Sequence, residues 1–323
     1  MEYRTQIKQI KEAVGTVITG KDEVIEKILM ATLAGGHVLM EDIPGVGKTT
    51  MALAFSKVMM LENGRVQFTP DVLPSDIVGF SVLNGQNEWE YKPGAVMCNI
   101  FLADEINRTS PKTQSALLEV MEEGTVTVDG NCFQVPKPFV VIATQNPITS
   151  VGTQLLPESQ LDRFMIKLTM GYPSVEQEIQ MLKERGNCNP LEQLEPVITR
   201  EQLLEMQQQT ADVFVQDSVY AYVANLVDAT RNHGRIHLGV SPRGSLALVS
   251  MAKACAFMQG RDYVVPEDVS SVFCDVAAHR ILLNQKAKVE HLEEKTLLEE
   301  ILATTEKPKL RQDKTASGGT RLV

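Results

Sequence analysis

Aromatic residues are scarce in this chain, at 5% of 323 positions with a single tryptophan, Trp89. Set beside 14 methionines, that scarcity favours helix-rich packing over a β-sandwich. Basic residues are also short: 31 Lys and Arg face 41 Asp and Glu, a net charge of -10. This balance argues against a chain that coats nucleic acid or an anionic membrane, while leaving room for a local basic groove. Cysteine is sparse. Cys98, Cys132, Cys188, Cys255 and Cys274 contain no CxxC pair and are odd in number, which points to buried thiols in a reducing cytoplasm rather than a disulfide or metal framework. His233 and His237 have the spacing of a helical metal pair, but Gly234 and Gly239 mark that stretch as a loop and no third ligand is near. No N-terminal segment reads as a signal peptide, and no apolar run approaches membrane-spanning length. A cytoplasmic chain without membrane insertion is therefore expected.

What is present is a hydrophobic content of 43%, enough for a large core and more than one domain. In the first half, short β-branched runs alternate with helical stretches. Runs 37–40, 65–69, 99–103, 139–144 and 164–170 read as strands, and several are apolar almost without alternation, as strands buried on both faces of a parallel sheet would be. Helical segments lie between them, for example 112–123 after Ser110-Pro111. Two further stretches read as β-hairpins: 125–131 around Asp129-Gly130, and 78–96 around Asn84-Gly85 with Trp89 and Tyr91 at alternate positions. Past Tyr172-Pro173-Ser174 the pattern is helical only, with 186–196 as a linker. One helix begins at Ser241-Pro242 and another near Pro266, the latter with Val269, Val272, Phe273 and Val276 on one face. The expected organisation is an α/β domain over 1–186, an all-helical domain over 187–306 and a disordered polar tail over 307–323.

Chemistry concentrates at two places. Pro44-Gly45-Val46-Gly47-Lys48-Thr49-Thr50 follows the first strand and opens a helix. Its glycines let successive N–H groups face phosphate oxygens, the helix adds its positive end, Lys48 reaches the β- and γ-phosphates, and Thr49 offers a hydroxyl to Mg²⁺. The strict pattern has Gly where this chain has Asp42. The run Ile100-Phe101-Leu102-Ala103 then ends in Asp104-Glu105. The first acid can hold a magnesium ion, and the second can polarise a water for attack on the γ-phosphate.

On these residues the chain resembles the AAA+ ATPases, and within them the MoxR family. The stretch 101–108, continuing through 111–119, carries the resemblance, as do Phe68-Thr69-Pro70-Asp71, Leu73-Pro74-Ser75-Asp76 and Ala143-Thr144-Gln145-Asn146-Pro147; it extends over about residues 3–285. It implies an αβα sandwich on a five-stranded parallel sheet, hairpin inserts and an all-α C-terminal lid. It also implies ATP and Mg²⁺ as ligands, the metal held by Thr49 and Asp104. Glu105 becomes the water activator and Asn146 the water orienter. Arg163, in Leu161-Asp162-Arg163-Phe164, becomes an arginine finger reaching a neighbouring subunit; read alone, the motif fits that role and a surface arginine paired with Asp162 equally well. Arg243, after Ser241-Pro242, becomes the second sensor, in its own or the neighbour's site. Arg108 is a further candidate for an intersubunit contact. The segment Val17-Ile18-Thr19-Gly20-Lys21 resembles the adenine-binding segment, with Ile18 and Gly20 as contacts. A site shared between chains implies a homo-oligomer, a ring of six in the family.

The resemblance implies a chaperone that remodels or activates partner proteins, among them proteins with a von Willebrand factor A-type domain. The alternatives are a nucleic-acid motor of the helicase type and a magnesium-chelatase-like motor subunit. A hairpin gripping phosphates needs Lys or Arg at its tip. Here the tips carry Asp129-Gly130-Asn131, Glu88 and Glu90, while Lys92 and Lys137 lie near the bases. That charge distribution favours protein over nucleic acid.

Overall fold

The structure, a computed structural model, describes residues 3–42, 45–146, 156–184, 190–308, 312–313 and 321–322. Helices α1 (Arg4–Val17) and α2 (Asp22–Leu33) precede β1 (Val38–Glu41). There follow α3 (Lys48–Val58), β2 (Asn63–Gln67), α4 (Pro74–Val78), β3 (Gly79–Leu83), β4 (Trp89–Pro93), β5 (Ile100–Asp104), α5 (Pro111–Glu123), β6 (Thr125–Val128), β7 (Asn131–Gln134), β8 (Val140–Gln145), α6 (Glu158–Leu161) and β9 (Ile166–Leu168). Five strands form one parallel sheet in the order β2-β5-β8-β1-β9. Side chains alternate between its faces. Val38, Met40, Ile100, Leu102, Val140 and Ile142 join one apolar cluster, and Leu39, Phe101, Ala103, Val141 and Ala143 join another. Helices cover both faces, which is why these strands carry no polar stripe.

Helix α5 runs back across the sheet. Ser110 caps its start by accepting the Thr113 N–H (3.2 Å), and Gly124, in the left-handed region at φ +64°, ends it. Its last turn meets the start of β1. Val141 N–H donates to His37 Nδ1 (3.0 Å), so the proton is on Nε2, which donates to Met121 O (3.0 Å). Burial pushes His37 down to about 4, against the weaker upward pull of the Met121 carbonyl.

Both hairpins form, β3 with β4 and β6 with β7. They pack on one another through Tyr91, which stacks on Phe133 at 4.0 Å between ring centroids and donates its hydroxyl to Val78 O (2.6 Å). Trp89 is 75% exposed.

Beyond β9 come α7 (Val175–Glu184), α8 (Arg200–Ala211), α9 (Asp217–Arg231), β10 (Ile236–Leu238), α10 (Pro242–Met258), α11 (Pro266–Ala277), β11 (Leu282–Leu283), α12 (Gln285–Val289) and α13 (Glu294–Thr304). The lid is thus not wholly helical. The connections before α10 and after α11 pass each other and satisfy their backbone groups as an antiparallel β10–β11 pair. Strands of two or three residues are too short to show a period, which is why the sequence reading missed them. Helix α2 packs against α8 and α10, so the lid shares one apolar cluster with α1–α3.

Cys98 and Cys255 are buried and Cys274 half-buried, but Cys132, expected inside, is exposed because it lies on the outward face of the β7 edge. Burial raises the Cys98 thiol to about 12. Cys188 lies outside the described residues, and no cluster able to hold a metal occurs among those described. Of the tail, expected to be disordered, Gln312–Asp313 pairs antiparallel with Arg321–Leu322, and most of the rest lies outside the described residues. Among the described residues no helix is long and apolar enough to cross a membrane.

Candidate nucleotide site

The loop after β1 opens at the carboxyl end of the parallel sheet, where folds of this architecture bind ligands. Gly45 and Gly47 adopt φ of +88° and +98°, left-handed values that L side chains rarely take. A Cβ on Gly45 would meet nothing within 4 Å, so conformation and not crowding calls for glycine there. Lys48 begins α3, is buried and donates from Nζ to Asp42 O (2.9 Å). Burial lowers its pKa, while Asp42, Asp104 and Glu105 pull it upward, so these three carboxylates lie within electrostatic reach of the amine. Thr49 and Thr50 follow in the first turn of α3, half-buried. Pro44 lies outside the described residues.

Asp42, the departure from the strict glycine pattern, has a structural task. Its buried carboxylate accepts the N–H groups of Met170 (2.5 Å) and Gly171 (2.9 Å). Lys21 grips the same segment from the other side, donating to Met170 O (2.5 Å) and Tyr172 O (3.0 Å). The loop and the 17–21 segment are thereby tied to the chain leaving β9. Between them Ile18, Val46, Gly47, Met170 and Gln177 line a pocket. Gly20, at φ +73°, contributes its carbonyl, which accepts from the Gln177 amide (3.2 Å).

At the end of β5, Asp104 Oδ1 accepts from the Thr144 hydroxyl (2.7 Å), and the same hydroxyl oxygen accepts the Glu105 N–H (2.9 Å). Thr144 therefore locks the ends of β5 and β8 together. Asn146 follows Gln145 directly, and its carbonyl accepts from Asn107 (3.3 Å), which places it beside the acids. Glu105 holds φ +57°, a strained conformation for a glutamate of the kind that clusters at functional sites. Two arginines cover the acids: Arg65 pairs with Asp104 Oδ2 (2.9 Å) and Arg108 with Glu105 Oε2 (2.6 Å).

Arg163 and Arg243 come together elsewhere. They line a cleft of about 380 Å³ with Gly36, His37, Glu122 and Arg280. Gly36 and His37 precede β1, whereas the phosphate loop follows it, so the cleft lies toward the opposite end of the strand, about 13 Å away. The alternative of an Arg163–Asp162 pair does not form. Arg163 pairs with Glu122 Oε2 (2.7 Å) and donates to Leu118 O (2.7 Å). Asp162 is taken by the Ser241 hydroxyl (2.9 Å) and by Arg280 Nε (2.9 Å). Arg280 also donates to Phe164 O (2.5 Å) and Met165 O (3.1 Å), and burial lowers its pKa to about 10 against the opposing pull of Asp162. Ser241 caps α10 as the sequence implies, accepting the Gly244 N–H (3.1 Å). Arg280, Arg65 and Glu122 carry no local signal in the sequence, and Asp42 shows there only as a mismatch.

A parallel sheet carrying a phosphate loop, paired acids and a helical lid defines an ATPase domain of the AAA type. The profile described as "ATPase family associated with various cellular activities (AAA)" matches residues 37–166, and an AAA lid domain matches 228–301. Chaperone MoxR1 of Mycobacterium tuberculosis is 39% identical over 91% of this chain and 80% of its own length. YeaC of Bacillus subtilis, an uncharacterised protein, is 48% identical over 92% and 93%. A solved structure from Cytophaga hutchinsonii, assigned there as an ATPase, superposes with a TM-score of 0.89 at 38% identity over 95% of this chain and 96% of that one. The chain belongs to the MoxR family of AAA+ ATPases.

Proposed function

We propose that this protein hydrolyses ATP in a homo-oligomeric ring of six and uses the cycle to remodel protein clients, among them proteins with a von Willebrand factor A-type domain, in the cytoplasm. The observation that carries the reading is the meeting of a buried Lys48, a loop turned by two left-handed glycines, and the Asp104-Glu105 pair around one point. These residues suit a triphosphate with a divalent cation. The loop and α3 offer N–H groups and an ammonium to phosphate oxygens, and Thr49 and Asp104 offer the hard oxygen donors that magnesium takes. Bound there, Mg²⁺ would offset the charge that builds on the phosphate oxygens. Ile18 and the neighbouring pocket wall would hold the adenine, with Gly20 fixing the Gln177 amide at its edge.

In this reading Glu105 takes a proton from the attacking water, and Asn146 orients that water. Both acids must first exchange their arginine partners: Asp104 leaves Arg65 for the cation, and Glu105 leaves Arg108 for the water. Arg163 and Arg243 serve the site of a neighbouring subunit. What supports this is their shared cleft at the other end of β1 from their own phosphate loop. An arginine supplied in this way is worth roughly 10³ to 10⁵ in rate in GTPases. Clients meet the β3–β4 hairpin, where exposed Leu83 and Trp89, paired across the strands next to the turn, offer an apolar contact on an otherwise acidic tip.

Mixing Arg163→Ala subunits with wild type tests the shared site. Activity should fall below the weighted mean of the two, because each variant subunit disables a wild-type neighbour. Strictly additive activity would show that Arg163 does not act between subunits.

A further inference from the structure

Glu122 stands one residue before the end of α5 and touches both arginines at once: Oε2 pairs with Arg163 (2.7 Å), and Oε1 pairs with Arg243. The two arginines come from different parts of the chain, one preceding β9 and the other in the first turn of α10 in the lid. No other side chain among the described residues bridges them. Arg163 is further fixed by the Leu118 carbonyl one turn earlier on α5. Among the described residues Arg243 makes no other hydrogen bond or ion pair, so Glu122 decides where its guanidinium lies.

We propose that Glu122 is a positioning residue that clasps Arg163 and Arg243 into one anion-binding fork, so that both act together on the terminal phosphate at a neighbouring subunit's site. The inference rests on the reading that these arginines serve that neighbour. Three features carry it. First, each guanidinium spends one terminal nitrogen on Glu122, and a guanidinium has five N–H donors in all. Donors remain for an anion without breaking the clasp. Second, the cleft gathers three guanidiniums, those of Arg163, Arg243 and Arg280, against two carboxylates, Glu122 and Asp162. His37 in the same wall is held neutral by burial. The surplus positive charge suits a phosphate. Third, the clasp is partly exposed, with side-chain accessibilities of 38% for Glu122, 30% for Arg163 and 43% for Arg243. Ion pairs so placed add little stability. Their effect is to restrict where two long side chains point, and misplaced charge-stabilising groups act on the transition state rather than on substrate binding.

The clasp also bridges the α/β domain and the lid, since α5 lies under the sheet and α10 in the lid. A movement of α10 would carry Arg243 away from Glu122 and split the fork. The neighbour's hydrolysis would then depend on the lid position of this subunit.

The test measures steady-state ATP turnover and melting temperature of the full chain for E122Q, E122D, R163A, R243A and the double variant E122Q/R163A. E122Q is expected to lower kcat about ten- to a hundredfold, with KM for ATP and the melting temperature unmoved. E122D, which keeps the charge on a shorter arm, should recover part of the loss. The double variant should lose less than the product of the two single losses, because Glu122 works through both arginines and one of them is already gone. If R163A and R243A slow turnover while E122Q runs at the wild-type rate or faster, the clasp is overturned and the neighbour-site reading stands. If R163A and R243A both turn over like wild type, the neighbour-site reading fails and takes the clasp with it.

Discussion

Arg280 is the pin between the α/β domain and the lid, and replacing it by Met should loosen that junction measurably. Its side chain is 2% exposed and pairs with Asp162, itself 21% exposed. The same guanidinium donates to the carbonyls of Asp162, Phe164 and Met165, just before β9, and to Val276 on α11. Methionine fills much of the volume but leaves the Asp162 carboxylate with the Ser241 hydroxyl as its remaining side-chain donor and four backbone carbonyls without this partner. Removing one member of a buried ion pair costs about 3–5 kcal/mol, and the surviving Ser241 bond places the change toward the lower figure. At about 2–4 °C per kcal/mol for chains of this order, the melting temperature should fall by about 6–12 °C. Arg280→Lys should fall between wild type and Arg280→Met, because an ammonium keeps the charge but does not span the fork of acceptors. Urea denaturation followed by circular dichroism measures both. A loss under about 1 kcal/mol for Arg280→Met, the value of an exposed pair, would refute the claim that this junction hangs on the buried guanidinium.

Lys48→Ala should weaken ATP binding and abolish phosphate release, seen with a fluorescent ATP analogue and a phosphate assay; unchanged turnover would remove the loop assignment. Glu105→Gln should retain ATP while kcat falls roughly 10²- to 10⁴-fold, and a pull-down with that variant in ATP should capture clients by their tight, stalled complexes; hydrolysis at the wild-type rate would exclude Glu105 as water activator. His37 shapes the acid limb of stability. Its folded pKa of about 4 lies below the ordinary value of 6.5. Above pH 6.5 it is neutral in both states and its contribution is intact. As pH falls from 6.5 to about 4, only the unfolded chain takes up the proton, and stability drops by about 3 kcal/mol in all. Melting curves across that window should be shallower in His37→Gln; identical slopes would show that His37 titrates normally in the fold.

The parallel sheet could be read from the chain because its strands are short apolar runs, and burial on both faces demands that pattern from the sequence itself. The hairpin around Asp129-Gly130 was legible for a similar local reason: both turn residues take positive φ, at +50° and +79°. The phosphate loop and the Asp104-Glu105 pair were legible because their chemistry is contiguous. The β10–β11 pair was not, since its partners are some forty residues apart and neither has a pattern of its own. Trp89 and Tyr91 share a strand and a period, yet Tyr91 finds Phe133 on the second hairpin while Trp89 faces solvent. Strand alternation cannot tell which hairpin packs on which.

The sequence by itself determined the fold class, the phosphate loop, the paired acids and the capped start of α10, because each is written in residues that are neighbours along the chain. The tertiary structure decided everything that depends on distant carboxylates and guanidiniums choosing partners. Asp162 took Arg280 and left Arg163 to Glu122; Arg65 and Arg108 covered the acids; Asp42 turned from an apparent mismatch into an anchor for the chain after β9. A charged side chain reaches several ångströms and pairs with whatever the fold brings within that reach, so its partner is a property of the packed molecule and not of its neighbours in sequence.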